Sequence, residues 1–227
     1  MNIFKKKYLK MHSIIRVFGS KILRYIEHAN LNAEWSIKNA NNKTYPVKYF
    51  PISLVSIGDH SYGPIDIYTY SAKGEHLEIG KYCSIAKDVK FVLGGNHRTD
   101  CLMTYPIQNK FISDQINESL TKGEIVLDDD VWVGVGATIL SGVHLGQGCV
   151  VAAGSVVTKS FPAYALIGGN PAKIIKMRFK ENILKTLNET NINLGAIEPK
   201  IIVDNIDWFC SELNENTIRD LSIYLQK

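Results

Sequence analysis

No run of about 18 apolar residues occurs in this chain, so none of it reads as a membrane-spanning helix. The first residues also lack an uninterrupted apolar core followed by a small-residue cleavage site, so nothing suggests export. Cysteine is scarce: Cys83, Cys101, Cys149 and Cys210 show neither a C-x-x-C nor the paired spacing of a disulfide framework. They read as reduced thiols of a cytoplasmic protein. No His, Cys or carboxylate cluster has metal-ligand spacing, which argues against a metal site. Acid is missing from Met1 to Ile26, which carries seven Lys and Arg, while the rest holds 19 basic against 22 acidic residues. The net charge of +4 therefore belongs to one end, and the mildly acidic body argues against nucleic-acid binding.

What the chain has is a repeat. Leu127, Val133, Ile139, Leu145, Val151 and Val157 fall six residues apart. Four positions after each of the first five stand Val131, Ala137, Val143, Cys149 and Ser155, all small or short. Neither the 3.6 period of a helix nor the 2 period of a lone strand produces this spacing. A hexapeptide beat predicts a parallel β-helix whose aliphatic residue points into a prism and whose small residue fits its corner. With 227 residues, 45% of them hydrophobic, the chain reads as one solenoid domain with appendages.

Before the coil, Phe4, Tyr8, Met11, Ile15, Phe18, Ile22 and Ile26 draw one apolar stripe at helical spacing, with basic residues around it. Three readings stay open: a helix packed on the body or on symmetry mates, an amphipathic helix on an anionic membrane surface, or a frayed tail. Asn30 to Lys48, rich in Asn and Lys, reads as a loop. Ile57 to Tyr62 fits one rung, and Ile65 to Ser71 alternates as a strand. Ile79, Ile85 and Phe91 then restart the beat, with Cys83, Val89 and Gly95 at the small positions. The next step would place an aliphatic residue at 97, but the sequence has His97, and no rung resumes until about Gly123. A loop over about 97–123 is predicted to leave the coil there, and long excursions commonly carry function. After Ser160-Phe161-Pro162 the turn-rich stretch Ala163 to Ala172 should close the last coil. Ile175, Phe179, Ile183 and Leu187 then predict a capping helix with Gly195 as its stop, and Trp208-Phe209, Ile218, Leu221 and Leu225 a second one. The expected divisions are thus an extension over 1–48, the β-helix over 49–172 and a helical cap over 173–227.

His97 stands against the expectations of its position. A neutral imidazole can take a proton from a hydroxyl, but it can also merely cap an exposed coil edge, and position alone leaves both readings open. Asp100 is a candidate to orient the ring, although an Asp three residues into a loop is more often a turn former. His12, His28, His60, His76 and His144 fall at turns, at an outward position or in the N-terminal segment.

The hexapeptide beat, the loop opening Gly94-Gly95-Asn96-His97-Arg98-Thr99-Asp100 with Thr104-Tyr105-Pro106, the rung Asp130-Val131-Trp132-Val133-Gly134 and the closure Gly168-Gly169-Asn170-Pro171-Ala172-Lys173 go together. From about Val55 to Phe179 the chain resembles the xenobiotic acetyltransferase branch of the hexapeptide acyltransferases. That branch includes streptogramin and type B chloramphenicol acetyltransferases and surface-polysaccharide O-acetyltransferases. The resemblance implies a left-handed parallel β-helix, a homotrimer, and acetyl-CoA as co-substrate in a groove between subunits. It implies that His97 is the general base, with the oxyanion stabilised by a backbone N–H of a neighbouring coil. Trp132 matches a tryptophan near the active groove, or else packs at the trimer contact. Val135, Ala152, Ala153, Thr158 and Lys159 match the coenzyme wall, and Pro171, Lys173 and Lys176 match positions near the adenine and phosphates. The two lysines are otherwise solvated residues at the start of a helix. Tyr68, Tyr70 and Tyr105 are weaker candidates for the acceptor side, buried tyrosines being usually packing.

Three functions follow as expectations. The first is a cytoplasmic O-acetyltransferase acting on a sugar hydroxyl of a surface polysaccharide or glycolipid precursor, peripheral on the inner membrane face if the membrane reading of Met1–Ile26 holds. The second is an antibiotic O-acetyltransferase. The third, of another class, is a non-catalytic trimeric scaffold. The N-terminal extension and the Asn-rich Asn39 to Thr44 tilt the expectation toward the sugar.

Overall fold

The structure, a computed structural model, describes residues 21–23, 25–190 and 192–225, with side chains described to residue 222. Most of the striped N-terminal segment, Met1 to Ser20, lies outside the described residues. The core is a three-sided parallel β-helix. One face carries β2 (Val55–Ile57), β4 (Leu77–Ile79), β7 (Ile125–Leu127) and β10 (His144–Leu145). A second carries β5 (Ser84–Ile85), β8 (Trp132–Val133), β11 (Val150–Val151) and β13 (Ala165–Gly169). The third carries β6 (Lys90–Val92), β9 (Thr138–Leu140) and β12 (Val156–Val157). The long β3 (Tyr62–Tyr68) bends round a corner, pairing with β5 on the second face and β6 on the third, which accounts for the irregular first coil in the sequence.

The strand register shows why the beat is six. Leu127 pairs with Leu145, Val133 with Val151 and Ile139 with Val157, so three rungs of six complete one coil. All six of these aliphatic residues, and the five small ones at the corners, are buried. Each fully buried aliphatic contributes roughly 1.5–3 kcal/mol. The corner turns demand a left-handed backbone once per rung, and Gly136, Gly142, Gly148 and Gly154 supply it at φ +68 to +77°. Ile79 pairs not with the residue one coil on but with Leu127, so Leu127 takes the place in the column that position 97 would have filled. The segment between is thrown out as a loop containing α2 (Ile107–Phe111), as the broken beat predicts.

Two expectations are corrected. Asn30 to Lys48 is not a loop: the described residues between 21 and 38 form a helix, α1, and β1 (Lys43–Pro46) pairs in parallel with β3. Leu31 and Trp35, four apart, face the core at its first coil, Trp35 lying edge-on to Phe50 and donating its indole N–H to the Thr44 carbonyl at 3.0 Å. This burial outweighs the Asn and Lys content that suggests a loop. Nor does the capping helix begin with Ile175. Ala172–Met177 forms β14, antiparallel to β13, which covers the otherwise unpaired edge of that strand. The helix α3 (Glu181–Thr190) starts only after it.

The C-terminal part, with α4 (Pro199–Asp204), α5 (Ile206–Cys210) and α6 (Glu215–Leu225), does not simply sit on the open end. Ile183, Leu187 and Ile218 pack on Tyr164, and the connecting segment runs back along the corner between the first and second faces. Gln147 donates to the Ile192 carbonyl at 3.1 Å and accepts from the Leu194 N–H at 3.1 Å. Tyr82 donates to the Ile197 carbonyl at 2.5 Å. No helix among the described residues is long and apolar enough to cross a membrane.

Candidate active site

The site is built where the third face ends. Beyond β6 the chain reaches buried Leu93, whose carbonyl accepts from the Thr121 hydroxyl at 2.5 Å. Gly95 donates its N–H to Ser119 Oγ at 3.1 Å. Asn96 and Leu120 exchange both backbone hydrogen bonds at 3.0 and 2.9 Å, and the Asn96 amide donates to Ser141 Oγ at 3.3 Å. The two arms of the loop are thus closed at their roots. His97 is the first residue beyond the closure, and it is exposed.

Its Nδ1 lies 2.7 Å from the Thr104 carbonyl oxygen. A carbonyl can only accept, so Nδ1 carries the proton, and in the neutral ring Nε2 is the unprotonated nitrogen. That is the tautomer a general base requires. Asp100 is not the orienting group. Its carboxylate is held by the Arg98 guanidinium at 2.8 and 3.0 Å, which keeps it down at about 2, well below the usual carboxylate range. The orienter is a backbone atom, which no side-chain pattern could have revealed.

The remaining sequence candidates separate in space. Val135 and the Ala152–Ala153 turn stack one coil apart at the edge between the second and third faces, the Gly154 N–H donating to the Val135 carbonyl at 2.8 Å. A methyl on Gly134 would sit 2.7 Å from the Ala153 nitrogen, so the turns stack backbone on backbone. Gly168 packs against Ala152, which brings the β13–β14 hairpin with Pro171 and Lys173 to the same edge. Trp132 points outward from the second face, 55% exposed, in one strand row with Val150, Leu166 and Lys176. Both lysines are exposed on β14, a strand and not the start of a helix, and they are the cations available there for phosphates. Thr158 and Lys159 lie instead at the edge between the third and first faces, the edge from which the His97 loop departs, with Lys159 Nζ 5.7 Å above the Phe161 ring. One chain therefore carries the candidate base on one edge of the prism and most of the candidate coenzyme wall on another.

Of the three tyrosine candidates, Tyr70 covers Gly95 with its ring, two residues from His97. Tyr68 lies under Lys48, whose Nζ is 3.2 Å from the ring centroid and 2.7 Å from Asp66, so it is tied to the N-terminal strand. Tyr105 is exposed and packs on Phe111 at 5.9 Å between ring centroids. The loop also exposes Leu102, Met103 and Ile112, an apolar surface that no periodicity flagged. Burial pushes the Cys83 and Cys149 thiols up, to about 12 and about 11, so both are inert core residues. Among the described residues no group of His, Cys, Asp or Glu could hold a metal ion.

This architecture is that of a parallel β-helix built on six-residue rungs, with a loop-borne histidine at its edge. The family described as hexapeptide repeat of succinyl-transferase matches residues 125–159. A probable macrolide acetyltransferase of Lysinibacillus sphaericus is 40% identical over 166 residues, covering 68% of this chain and 91% of that protein. A chloramphenicol acetyltransferase of Agrobacterium fabrum is 34% identical over 137 residues, 57% of this chain and 66% of its own. A solved hexapeptide-repeat acetyltransferase of Vibrio cholerae is 27% identical, with a TM-score of 0.49 over 67% of this chain and 82% of the other. The chain belongs to the hexapeptide-repeat acetyltransferase family, and it is an acyltransferase. That removes the non-catalytic scaffold, and membership of this family implies left-handed winding of the β-helix.

Proposed function

We propose that the protein transfers the acetyl group of acetyl-CoA to a hydroxyl of a bulky, largely apolar acceptor of the antibiotic kind, with His97 as general base. The observation that carries the mechanism is the Nδ1 contact with the Thr104 carbonyl, which leaves Nε2 free to accept a proton. Nε2 takes the hydroxyl proton as the acceptor oxygen attacks the thioester carbonyl carbon. The tetrahedral oxyanion collapses, the carbon–sulfur bond breaks, and the imidazolium returns its proton to the departing coenzyme A thiolate. A backbone N–H of a neighbouring coil is the candidate oxyanion donor.

Two findings favour an antibiotic-like acceptor over the surface-polysaccharide sugar expected from the sequence. The two relatives described above are named as a probable macrolide acetyltransferase and a chloramphenicol acetyltransferase. The loop beside His97 exposes Leu102, Met103, Tyr105, Phe111 and Ile112, a surface suited to an apolar molecule rather than a hydrated sugar. Because the base and the coenzyme wall lie on different edges, the reading is of a homotrimer in which each site joins His97 of one chain to the wall of the next. Lys173, Lys176 and Pro171 would meet the nucleotide end of the coenzyme. For the N-terminal segment, the exposed Ile22, Leu23, Tyr25 and Ile26 support a contact outside the single chain, either a trimer mate or an anionic membrane surface.

The test is thiol release from acetyl-CoA with a panel of macrolide, streptogramin, chloramphenicol and sugar acceptors. His97→Ala should bind acetyl-CoA as wild type does yet lose turnover about 100-fold or more. Near-wild-type turnover would sink the mechanism, and turnover confined to sugars would restore the polysaccharide reading.

A further inference from the structure

Glu75 lies in the turn between β3 and β4, and its side chain is buried at 6% exposure. Among the described residues no salt bridge involves it. A carboxylate is buried at a cost unless hydrogen bonds replace its hydration. Here they come from one short segment: the Thr69 hydroxyl donates to Oε2, and the Tyr70 N–H lies 3.0 Å from Oε1 and 3.2 Å from Oε2. Its outer side meets the loop. A methyl on Gly94 would lie 2.1 Å from Oε1, so the carboxylate rests against the backbone at the very start of the excursion. The ring of Tyr70, the residue whose N–H the carboxylate holds, covers Gly95 so closely that a methyl there would be 2.7 Å from it. From the returning arm, the Asn117 amide donates to the carbonyls of Tyr70 at 3.1 Å and Ser71 at 2.7 Å. One buried carboxylate thus fixes the Thr69–Glu75 turn, and that turn meets the outgoing arm at Gly94 and Gly95 and the returning arm through Asn117.

We propose that Glu75 is a positioning residue for His97: by fixing the Thr69–Tyr70 turn against Gly94 and Gly95 it sets where the loop leaves the coil, and so where Nε2 points. The proposal rests on the reading of His97 as general base. Glu75 itself touches no reacting atom. It acts through the backbone of two glycines, which have no side chain at the points where the carboxylate and the tyrosine ring press. The sequence shows Gly94 and Gly95 without saying what presses on them, because their partners come from an earlier turn.

The experiment compares steady-state kinetics, acetyl-CoA affinity and thermal stability for Glu75→Gln, Thr69→Val, Thr69→Ser and Gly94→Ala. Glu75→Gln keeps the volume but turns one acceptor into a donor facing donors. It is expected to lower kcat by up to about 100-fold, the scale of an ångström-sized misplacement, while acetyl-CoA affinity stays at the wild-type value. Thr69→Val and Gly94→Ala, which disturb the same carboxylate from its two sides, should give the same signature, and Thr69→Ser should recover wild-type kcat. If Glu75→Gln fails to fold, these threonine and glycine variants carry the test. A kcat within about twofold of wild type in folded variants overturns the proposal, as does a loss of kcat matched by an equal loss of acetyl-CoA affinity. His97→Ala run alongside separates the two ideas. If it keeps turnover, the base reading fails; if it is inactive while the Glu75 and Thr69 variants are normal, only the positioning role fails.

Discussion

The imidazole of His97 owes its usable lone pair to a backbone carbonyl rather than to a carboxylate. Thr104 holds Nδ1, and Asp100, three residues along the loop, is occupied by Arg98 in an exposed pair. A carboxylate partner would add charge to a developing imidazolium, whereas a carbonyl fixes only the tautomer and the ring plane. Asp100→Asn should therefore leave kcat and KM at wild-type values, measured with the best acceptor of the panel. A loss of kcat comparable to that of His97→Ala would show that Asp100 turns to the ring during the reaction. His97 stands out in the sequence as a candidate because an imidazole takes the place where the beat demands an aliphatic residue. Its orienter was not, since every residue type carries a carbonyl.

At the scale of the element, each rung is held by what it stacks on rather than by its own propensity. The two- and three-residue strands have no stability alone and gain it from parallel neighbours a coil away. The corners are where that stacking is tightest. A methyl on Gly58 would lie 2.6 Å from the backbone of Gly80 and Lys81, atoms that cannot rotate aside. Gly58→Ala should destabilise the protein by about 1–3 kcal/mol, read from denaturant unfolding at fixed protein concentration. It should leave acetyl-CoA affinity intact, since this corner lies between the first and second faces, away from the candidate wall. At the two ends of the coil the sequence pattern misleads, because α1 runs on to residue 38 within the stretch that reads as a loop and β14 replaces the first turn of the expected helix. In both places an open strand or core end needed covering, and that demand outweighs local composition.

For the whole molecule the informative fact is that the candidate base and the candidate coenzyme wall stand on different edges of one prism. A site assembled from two chains predicts complementation. His97→Ala chains and Ala153→Trp chains, the latter with a bulky ring on the coenzyme wall, should each be inactive alone. Co-expressed, they should recover activity at about a quarter of the interfaces by random assortment in a ring of identical subunits. Sedimentation should show the mass of three chains. No recovery from well-folded mixed trimers would put base and wall in the same chain.

The hexapeptide beat from Leu127 to Val157, its small corner residues and the break at His97 were sufficient to establish the coil, its inward face and the point where the loop leaves, because a repeat confined to neighbouring rungs is written in local spacing. Sequence alone could not tell that Thr104 sets the tautomer, that Glu75 presses on Gly94, or that Val135 and His97 sit on different edges. Those relations join residues through the number of rungs and insertions between them. Only the closed coil converts that count into distance.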